Sequence, residues 1–424
     1  MKHSIVFNWL KDAWEISINE LKRIFSDGGV ILIFFVAGMV YPLLYNIVYI
    51  NGILEKTPIA VVDMADCSAS RRYIREVDAT REVKVAVRCT SMQEAEKLMQ
   101  ERKVKGILYF PSDFGDELAA LRQATVGVYC DMSSFLYYKN ALMAVNHVML
   151  AEHHQIQVER YAATGLTDQE ADQIVQGIPY EENNPYNPAF SYSIFLVSAI
   201  LLIIVQQTLF YGMSLLVGTM REKNHKHVSL PEHLQGRGVG RVIFGRGTAY
   251  WTVYMGIAIY VAFIVPALFG LPQRGDFWNI LMLLTIFVLD TVFFSMVWSS
   301  LITRRESVFM LFLFMSPICL FLTGASWPTF AIPSFWKVFS YLFPSTVGVQ
   351  AYLNMSVAGG DLSTAYSQLN VLVIQTIVYL VLAFVAYYVE NWISLHKERL
   401  RTRRDKLDAK LGIDRQKMRS IIEG

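Results

Sequence analysis

Asp290 is the one acidic residue deep inside a long apolar stretch, Phe277 to Ile302. A carboxyl at that depth does chemistry by meeting a proton, a polar or cationic substrate, or a hydrogen-bond donor on a neighbouring helix. An aspartate at the centre of a membrane helix costs about 2.5–3.5 kcal/mol on insertion scales, so its side chain is expected to face protein or a wet cavity. Gln206 and Gln207, in a second apolar stretch, supply matching polar groups. Two readings stand side by side: a translocation path through Asp290, Gln206 and Gln207, and a structural hydrogen bond from Asp290 to one of the glutamines.

Other chemistry is excluded by what the chain lacks. No Gly-Lys dipeptide occurs, so a phosphate-cradling G-x-x-x-x-G-K-[ST] loop is absent, and Gly236, Gly238 and Gly240 fail G-x-G-x-x-G because Arg241 follows. His225, His227 and His233 share one segment, yet H-x-H with no cysteine or carboxylate at ligand spacing predicts no metal site. Three of the four cysteines, Cys67, Cys89 and Cys130, fall in one polar segment without a C-x-x-C pair. Free thiols are expected there, with a Cys67–Cys89 bridge as the alternative. No nucleophile, base and orienting acid share a motif, which argues against an enzyme. With 38 Lys and Arg against 36 Asp and Glu, the net charge of +2 gives a nucleic-acid backbone nothing to recruit.

The elements that must position Asp290 are membrane spans. The chain is 54% hydrophobic and 17% charged, against about 25% charged in an ordinary soluble domain. Charge-poor windows long enough to cross about 30 Å of hydrocarbon run from Gly28 to Leu54, Pro188 to Thr219, Gly247 to Gly270, Phe277 to Ile302, Ser307 to Gly324 and Leu369 to Val389. The first is too long and aromatic for a cleaved signal peptide. Six crossings put both termini on one side. The pieces on that side hold 22 Lys and Arg in some 100 residues, against 16 in some 190 on the other, which predicts termini inside and the large insert outside.

The expected organisation is a cytoplasmic amphipathic helix in 1–27, a first span in 28–54, an extracytoplasmic α/β domain with a helical second part in 55–187, five spans in 188–390 and a basic tail in 391–424. In the N-terminal helix, Val6, Leu10, Ala13, Trp14, Leu21 and Ile24 recur at helical spacing, with Lys11, Asp12, Glu15, Glu20 and Lys22 largely opposite. The insert alternates strand and helix patterns: IAVVD ending at Asp63, a helix over Ser68–Val77, a strand at 83–87, a helix over Ser91–Glu101 with a Ser91/Glu94 capping pattern, strands at Gly106–Phe110 and Val126–Cys130 around a helix over Phe114–Leu121, and a long helix over Ser133–Ala162. Between 325 and 360, Pro328, Pro333 and Pro344 interrupt an aromatic stretch containing Phe343, which predicts two short broken helices dipping into the outer leaflet as a gate or an interfacial loop. The tail, with ten Lys and Arg, suits anionic headgroups.

These residues resemble the membrane subunit of an ABC-2 type exporter, of the bacterial subgroup with a large external domain after the first span. The resemblance rests on NELKRIFSD before that span, on IAVVDMADCSASRRYI and SMQEAEKLMQERKVKGILYFPSDF in the insert, on MREKNHKHVSLPEHL in the inner segment 220–246, and on the proline-punctuated GASWPTFAIPSFWKVFSYLFPSTVGVQAYLNM. Two departures stand out: Asn224-His225-Lys226 where the family pattern has Glu-Gly-Thr, and Gly245-Arg246 where it has Gly-Lys. The resemblance implies a permease in the bacterial inner membrane with no nucleotide site of its own. A separate ATPase subunit, holding ATP and Mg, would dock on the N-terminal helix (Trp9, Trp14, Glu20) and on Arg221, Glu222 and Lys223. A second permease copy, identical or paralogous, would complete the path for a hydrophobic or amphiphilic cargo. The competing reading is a membrane-anchored receptor or scaffold whose outer domain binds a ligand or envelope component.

Overall fold

The computed structural model describes residues 2–120, 122–176, 185–187, 191–224 and 238–410. Two compact units emerge, one combining Met1–Ile50 with Phe190–Gly424 and the other formed by Asn51–Ala189. The chain begins with helix α1, Lys2–Ile24. Helix α2, Gly28–Val48, follows after a tight turn. Asp27 caps it, its Oδ1 accepting from Gly29 N at 2.9 Å and Val30 N at 3.2 Å. Such a cap satisfies two of the four backbone donors that a helix start leaves unpaired.

The second unit is a four-stranded sheet with helices on both faces. Its elements are β1 Thr57–Asp63, α3 Ser68–Ala79, β2 Val83–Cys89, α4 Met92–Gln100, β3 Gly106–Phe110, α5 Phe114–Ala119, β4 Gly127–Cys130, α6 Phe135–Ala162 and α7 Asp168–Val175. Strand order is β2-β1-β3-β4, with β1 parallel to both neighbours and β4 antiparallel to β3. A central parallel strand is buried on both faces, which explains why Ile59, Ala60, Val61 and Val62 form an unbroken apolar run with none more than 2% exposed. Ile59, Val61 and Leu108 pack on Tyr73, Ile74 and Val77 of α3 and on Ala144 and Val148 of α6. Ala60, Val62 and Ile107 pack on Ala95 of α4. Reversing from β2 across β1 to β3 places consecutive crossover helices on opposite faces, as right-handed connections require.

Local capping fixes where these helices begin. The Cys67 thiol and Ser70 cap each other at the start of α3. At α4 the expected box forms with a shift: Ser91 Oγ accepts from Glu94 N, while Glu94 reaches back to Thr90 N at 3.0 Å. The four cysteines carry free thiols, and no Cys67–Cys89 bridge is present.

The rest of the first unit comprises α8 Tyr192–Asn224, α9 Val239–Leu268, α10 Phe277–Ser299 and α11 Ser307–Leu322, α12 Ser334–Ser340, α13 Pro344–Tyr352 and α14 Tyr366–Lys410. Among the described residues five helices are long and apolar enough to cross a membrane: α2, α9, α10, and the apolar parts Leu196–Glu222 of α8 and Tyr366–Ile393 of α14. The stretch from Ser307 falls short of the expected sixth span: it forms a helix of 16 residues with Pro317 inside, about 24 Å at the usual rise. The core lies around α8, whose apolar window is wholly buried against its neighbours. The proline-rich region forms two short helices, α12 and α13, that begin immediately after Pro333 and at Pro344, where a missing N–H costs nothing.

Candidate functional site

The N-terminal helix turns two of its charges, Asp12 and Glu20, inward. Where α1 crosses α9, a Cβ on Gly245 would stand 2.6 Å from the Ala13 carbonyl oxygen and 2.8 Å from Ile16 Cβ, so only glycine permits this approach. Around that crossing Arg241 donates to Asp12, and Glu20 is enclosed by three partners. Tyr250 OH donates to Glu20 Oε1 at 3.0 Å, and Arg246 and Arg23 each approach Oε2 to 3.4 Å. Arg246 also reaches Tyr387 OH of α14 at 3.4 Å, with its guanidinium 6.0 Å from that ring's centre. A single buried cluster thus joins α1, α9 and α14.

A second cluster lies at the end of α8. Arg221 donates to the carbonyls of Ser300, at 2.8 Å, and Ile302, and pairs with Glu390 of α14. It thereby holds the carbonyl end of α10, where a cation complements the helix dipole. Glu222 accepts from Arg305 N at 2.7 Å, and the Arg305 guanidinium reaches Thr219 Oγ1 at 3.3 Å and Asp27 Oδ1 at 3.4 Å. Gly218 makes room for that loop: a Cβ there would stand 3.0 Å from the Arg305 backbone. Replacing a buried ion pair with apolar groups is often neutral, whereas removing one member costs about 3–5 kcal/mol. The arrangement therefore specifies how these helices sit more than it adds stability.

The residues picked from sequence distribute as follows. Trp14 is 68% exposed, together with Phe7 and Leu10, whereas Glu20 is 1% exposed. Trp9 is half-buried, its ring 5.5 Å from that of Phe244. The helix is amphipathic, yet Asp12 and Glu20 lie on its packed side with Ala13, Ile16 and Ile24, because α9 presents arginines to them. Arg221 is buried and Glu222 exposed. The Lys223 side chain and residues 225–237, including His225, His227, His233 and Gly236, lie outside the described residues. Among those described, no three His, Cys, Asp or Glu are grouped to hold a metal ion. Arg305, Tyr250 and Tyr387 carry no sequence signal; Arg241 enters the sequence reading only as the residue that breaks G-x-G-x-x-G, and Arg246 only as a departure from the family's Gly-Lys.

In the bundle the glutamines serve contacts other than Asp290. Gln206 accepts from Ser345 N at the start of α13 and approaches Cys319 Sγ of α11 at 3.7 Å. Gln207 Oε1 accepts from Tyr211 OH at 2.7 Å and Ser316 Oγ at 2.5 Å. Asp290 is 0% exposed, and neither carboxylate oxygen has a hydrogen-bond partner among the described residues. The proline-rich region divides: Pro328 and Pro333 are exposed beside Phe330 and Phe335, whereas Phe343 and Pro344 are buried, Phe343 against Phe294 with ring centres 6.2 Å apart.

Among the described residues the arrangement shows no grouping for bond chemistry and a dense set of ion pairs and hydrogen bonds that hold helices to one another. A comparison with curated proteins finds no match. The family model described as ABC-2 family transporter protein matches residues 29–385. Its permease domain lacks ATPase motifs, in agreement with the missing P-loop, and permeases of this kind generally pair with ABC ATPase subunits. With most of its length covered, this multi-pass membrane chain belongs to the ABC-2 family of transporter membrane proteins.

Proposed function

We propose that the chain is the permease subunit of an ATP-driven exporter of the bacterial cytoplasmic membrane, moving a hydrophobic or amphiphilic cargo from the cytoplasm or inner leaflet. The ion-pair clusters at Glu20 and Arg221 carry this reading. A separate ATPase, holding ATP and Mg, docks on the exposed face of α1 around Trp14 and Leu10, with Trp9 behind it, and on the segment from Glu222 and Lys223. Glu20 and Arg221 lie beneath that surface and pass its displacement to α9, α10 and α14. A coupled transporter needs such a bistable bundle. Both termini are cytoplasmic, Asn51–Ala189 is outside, and α11 makes the sixth crossing with the residues just after it. Pro328 and Pro333 border the outer exit, with Phe343 and Pro344 as its inner wall, and a second permease copy, identical or paralogous, completes the path.

The test is whether an ABC ATPase co-purifies with this chain in mild detergent. The expected result is a complex lost when Trp14→Ala and Leu10→Ser are combined, and retained but with transport uncoupled from ATP hydrolysis in Glu20→Gln. Absence of any associated ATPase would favour a membrane-anchored receptor instead.

A further inference from the structure

The unpartnered carboxyl of Asp290 lies in a defined place. On α10, Phe294 meets the Phe343 ring at 6.2 Å, and the Phe287 ring stands 2.5 Å from where a Cβ on Gly348 would be. Asp290 lies between those two contacts, three residues from Phe287 and four from Phe294, on the same side of the helix. It therefore lies level with the start of α13, whose Ser345 Oγ and Thr346 Oγ1, 0% and 2% exposed as residues, also lack hydrogen-bond partners among the described residues. One carboxyl and two hydroxyls thus lie buried and without hydrogen-bond partners at this level, among the described residues. Nearby rings are apolar: Phe287, Phe294 and Phe343, with Tyr379 edge-on to Phe294 at 5.4 Å.

The described helices around Asp290 supply no cation from their apolar stretches. No Lys or Arg occurs in 192–220, 247–268, 277–299, 344–357 or 366–389, the apolar stretches of the helices around it. The buried arginines, Arg246 and Arg221, are engaged at Glu20 and Glu390. A buried carboxylate without a counter-ion is expensive, and a site built to pair with one discriminates strongly against ligands that cannot.

We infer that Asp290, with the hydroxyls of Ser345 and Thr346, receives the ammonium group of a lipophilic cationic cargo, whose apolar body lies among Phe287, Phe294 and Phe343. The inference rests on the amphiphilic-cargo reading and narrows it to cations. Contact between α10 and the start of α13 makes the site a joint: a cation held by both elements couples cargo occupancy to the position of the proline-rich segment.

The experiment uses the purified full chain in nanodiscs and a dansyl-tagged alkylammonium probe, read by anisotropy against empty nanodiscs. The comparison probe is its N-acetylated, uncharged counterpart. The expected result is saturable binding at least tenfold tighter for the ammonium. That ratio falls to about one in Asp290→Asn, survives in Asp290→Glu, and drops a few-fold in Thr346→Val. Equal binding of the two probes by the unsubstituted chain overturns the inference without any variant having to fold. An unchanged ratio in a monodisperse Asp290→Asn overturns it too, as does displacement by 300 mM NaCl but not by 300 mM N-methylglucamine chloride, which assigns the carboxyl to an inorganic ion. None of these outcomes depends on ATPase association, so the permease reading stands or falls separately.

Discussion

Glu20 of α1 and Arg246 of α9 lie 3.4 Å apart with side chains 2% and 3% exposed, and Tyr250 donates to the same carboxylate. Two charges removed so fully from solvent attract strongly but have lost hydration of comparable size. Their pairing acts mainly as a constraint: α1 has one seat on α9. Arg246→Ala leaves Glu20 buried beside Arg23 alone among the cations and is expected to cost about 3–5 kcal/mol of stability. Glu20→Gln combined with Arg246→Met should cost clearly less than the two single changes added together. Thermal unfolding of the four proteins in one detergent checks this, and strict additivity would remove the pair as a coupled unit.

The seat itself depends on Gly245. With the Ala13 carbonyl 2.6 Å from where its Cβ would be, Gly245→Ala must separate the helices or bend one of them. Overpacking of this kind costs about 1–3 kcal/mol, and the same displacement moves Arg246 away from Glu20. Gly256, with nothing within 4 Å of its would-be Cβ, is the control on the same helix. Proteolytic release of the N-terminal helix should accelerate in Gly245→Ala and not in Gly256→Ala. Equal protection of both would show that the crossing tolerates a methyl group.

The parts legible in the sequence are those settled by neighbours along the chain. Ser91 with Glu94 announced α4, and the apolar Ile59–Val62 run announced a strand, which the fold covers on both faces. The inward face of α1 was not legible, because the arginines that draw Asp12 and Glu20 inward come more than 220 residues later. A helical wheel assigns charges to water by default. Asp290 and the two glutamines illustrate the same limit: all three are recognisable as polar groups in apolar spans, but the rotation and depth of each helix decide that Gln206 meets α13 and Gln207 meets α11. Residue type carries no information about rotation.

The Asn51–Ala189 unit has its own charge cluster, in which Glu152 is buried and Arg72 and Glu76 are partly exposed. Arg72 of α3 makes a two-pronged contact with Glu152 of α6, Nε to Oε1 at 2.9 Å and Nη2 to Oε2 at 2.5 Å. Glu76, one turn further along α3, has its carboxyl pushed above the ordinary value by burial and then by Glu152, against the lowering effect of Arg72 and Arg75. A carboxyl raised in the folded state binds its proton more tightly there than in the unfolded chain. Glu76 therefore favours folding at low pH, and that contribution is lost as pH rises through the raised value. Glu76→Gln should gain on the unsubstituted protein as pH climbs from about 4 to 7, by about a few tenths of a kcal/mol because the group is partly solvated. Arg72→Ala, which leaves Glu152 buried without its main partner, should lose about 1–3 kcal/mol. Unfolding midpoints at pH 4 and pH 7 check both signs, and a Glu76→Gln gain confined to pH 4 would contradict the first.

Thiol reactivity separates the cysteines and tests the proposed orientation together. Cys67 caps α3 and is partly exposed, its thiol accepting from Ser70 N at 3.3 Å. Cys130 is also partly exposed, but burial pushes its thiol above the ordinary value; Cys89, 7% exposed, is shifted the same way by burial and then by Glu94. The thiolate is the nucleophile, so a raised thiol reacts more slowly at neutral pH. In spheroplasts treated with a membrane-impermeant maleimide, single-cysteine versions should label in the order Cys67, Cys130, Cys89, with Cys319, 2% exposed within the bundle, unreactive until the protein is unfolded. Raising the pH from about 7 to 9 should accelerate Cys130 while leaving the order intact, because more of its thiol ionises. Labelling of Cys67 only after the membrane is permeabilised would place Asn51–Ala189 on the cytoplasmic side. The exposed face of α1 and the segment at Glu222 would then face away from any cytosolic ATPase, and the permease reading would lose its docking surface.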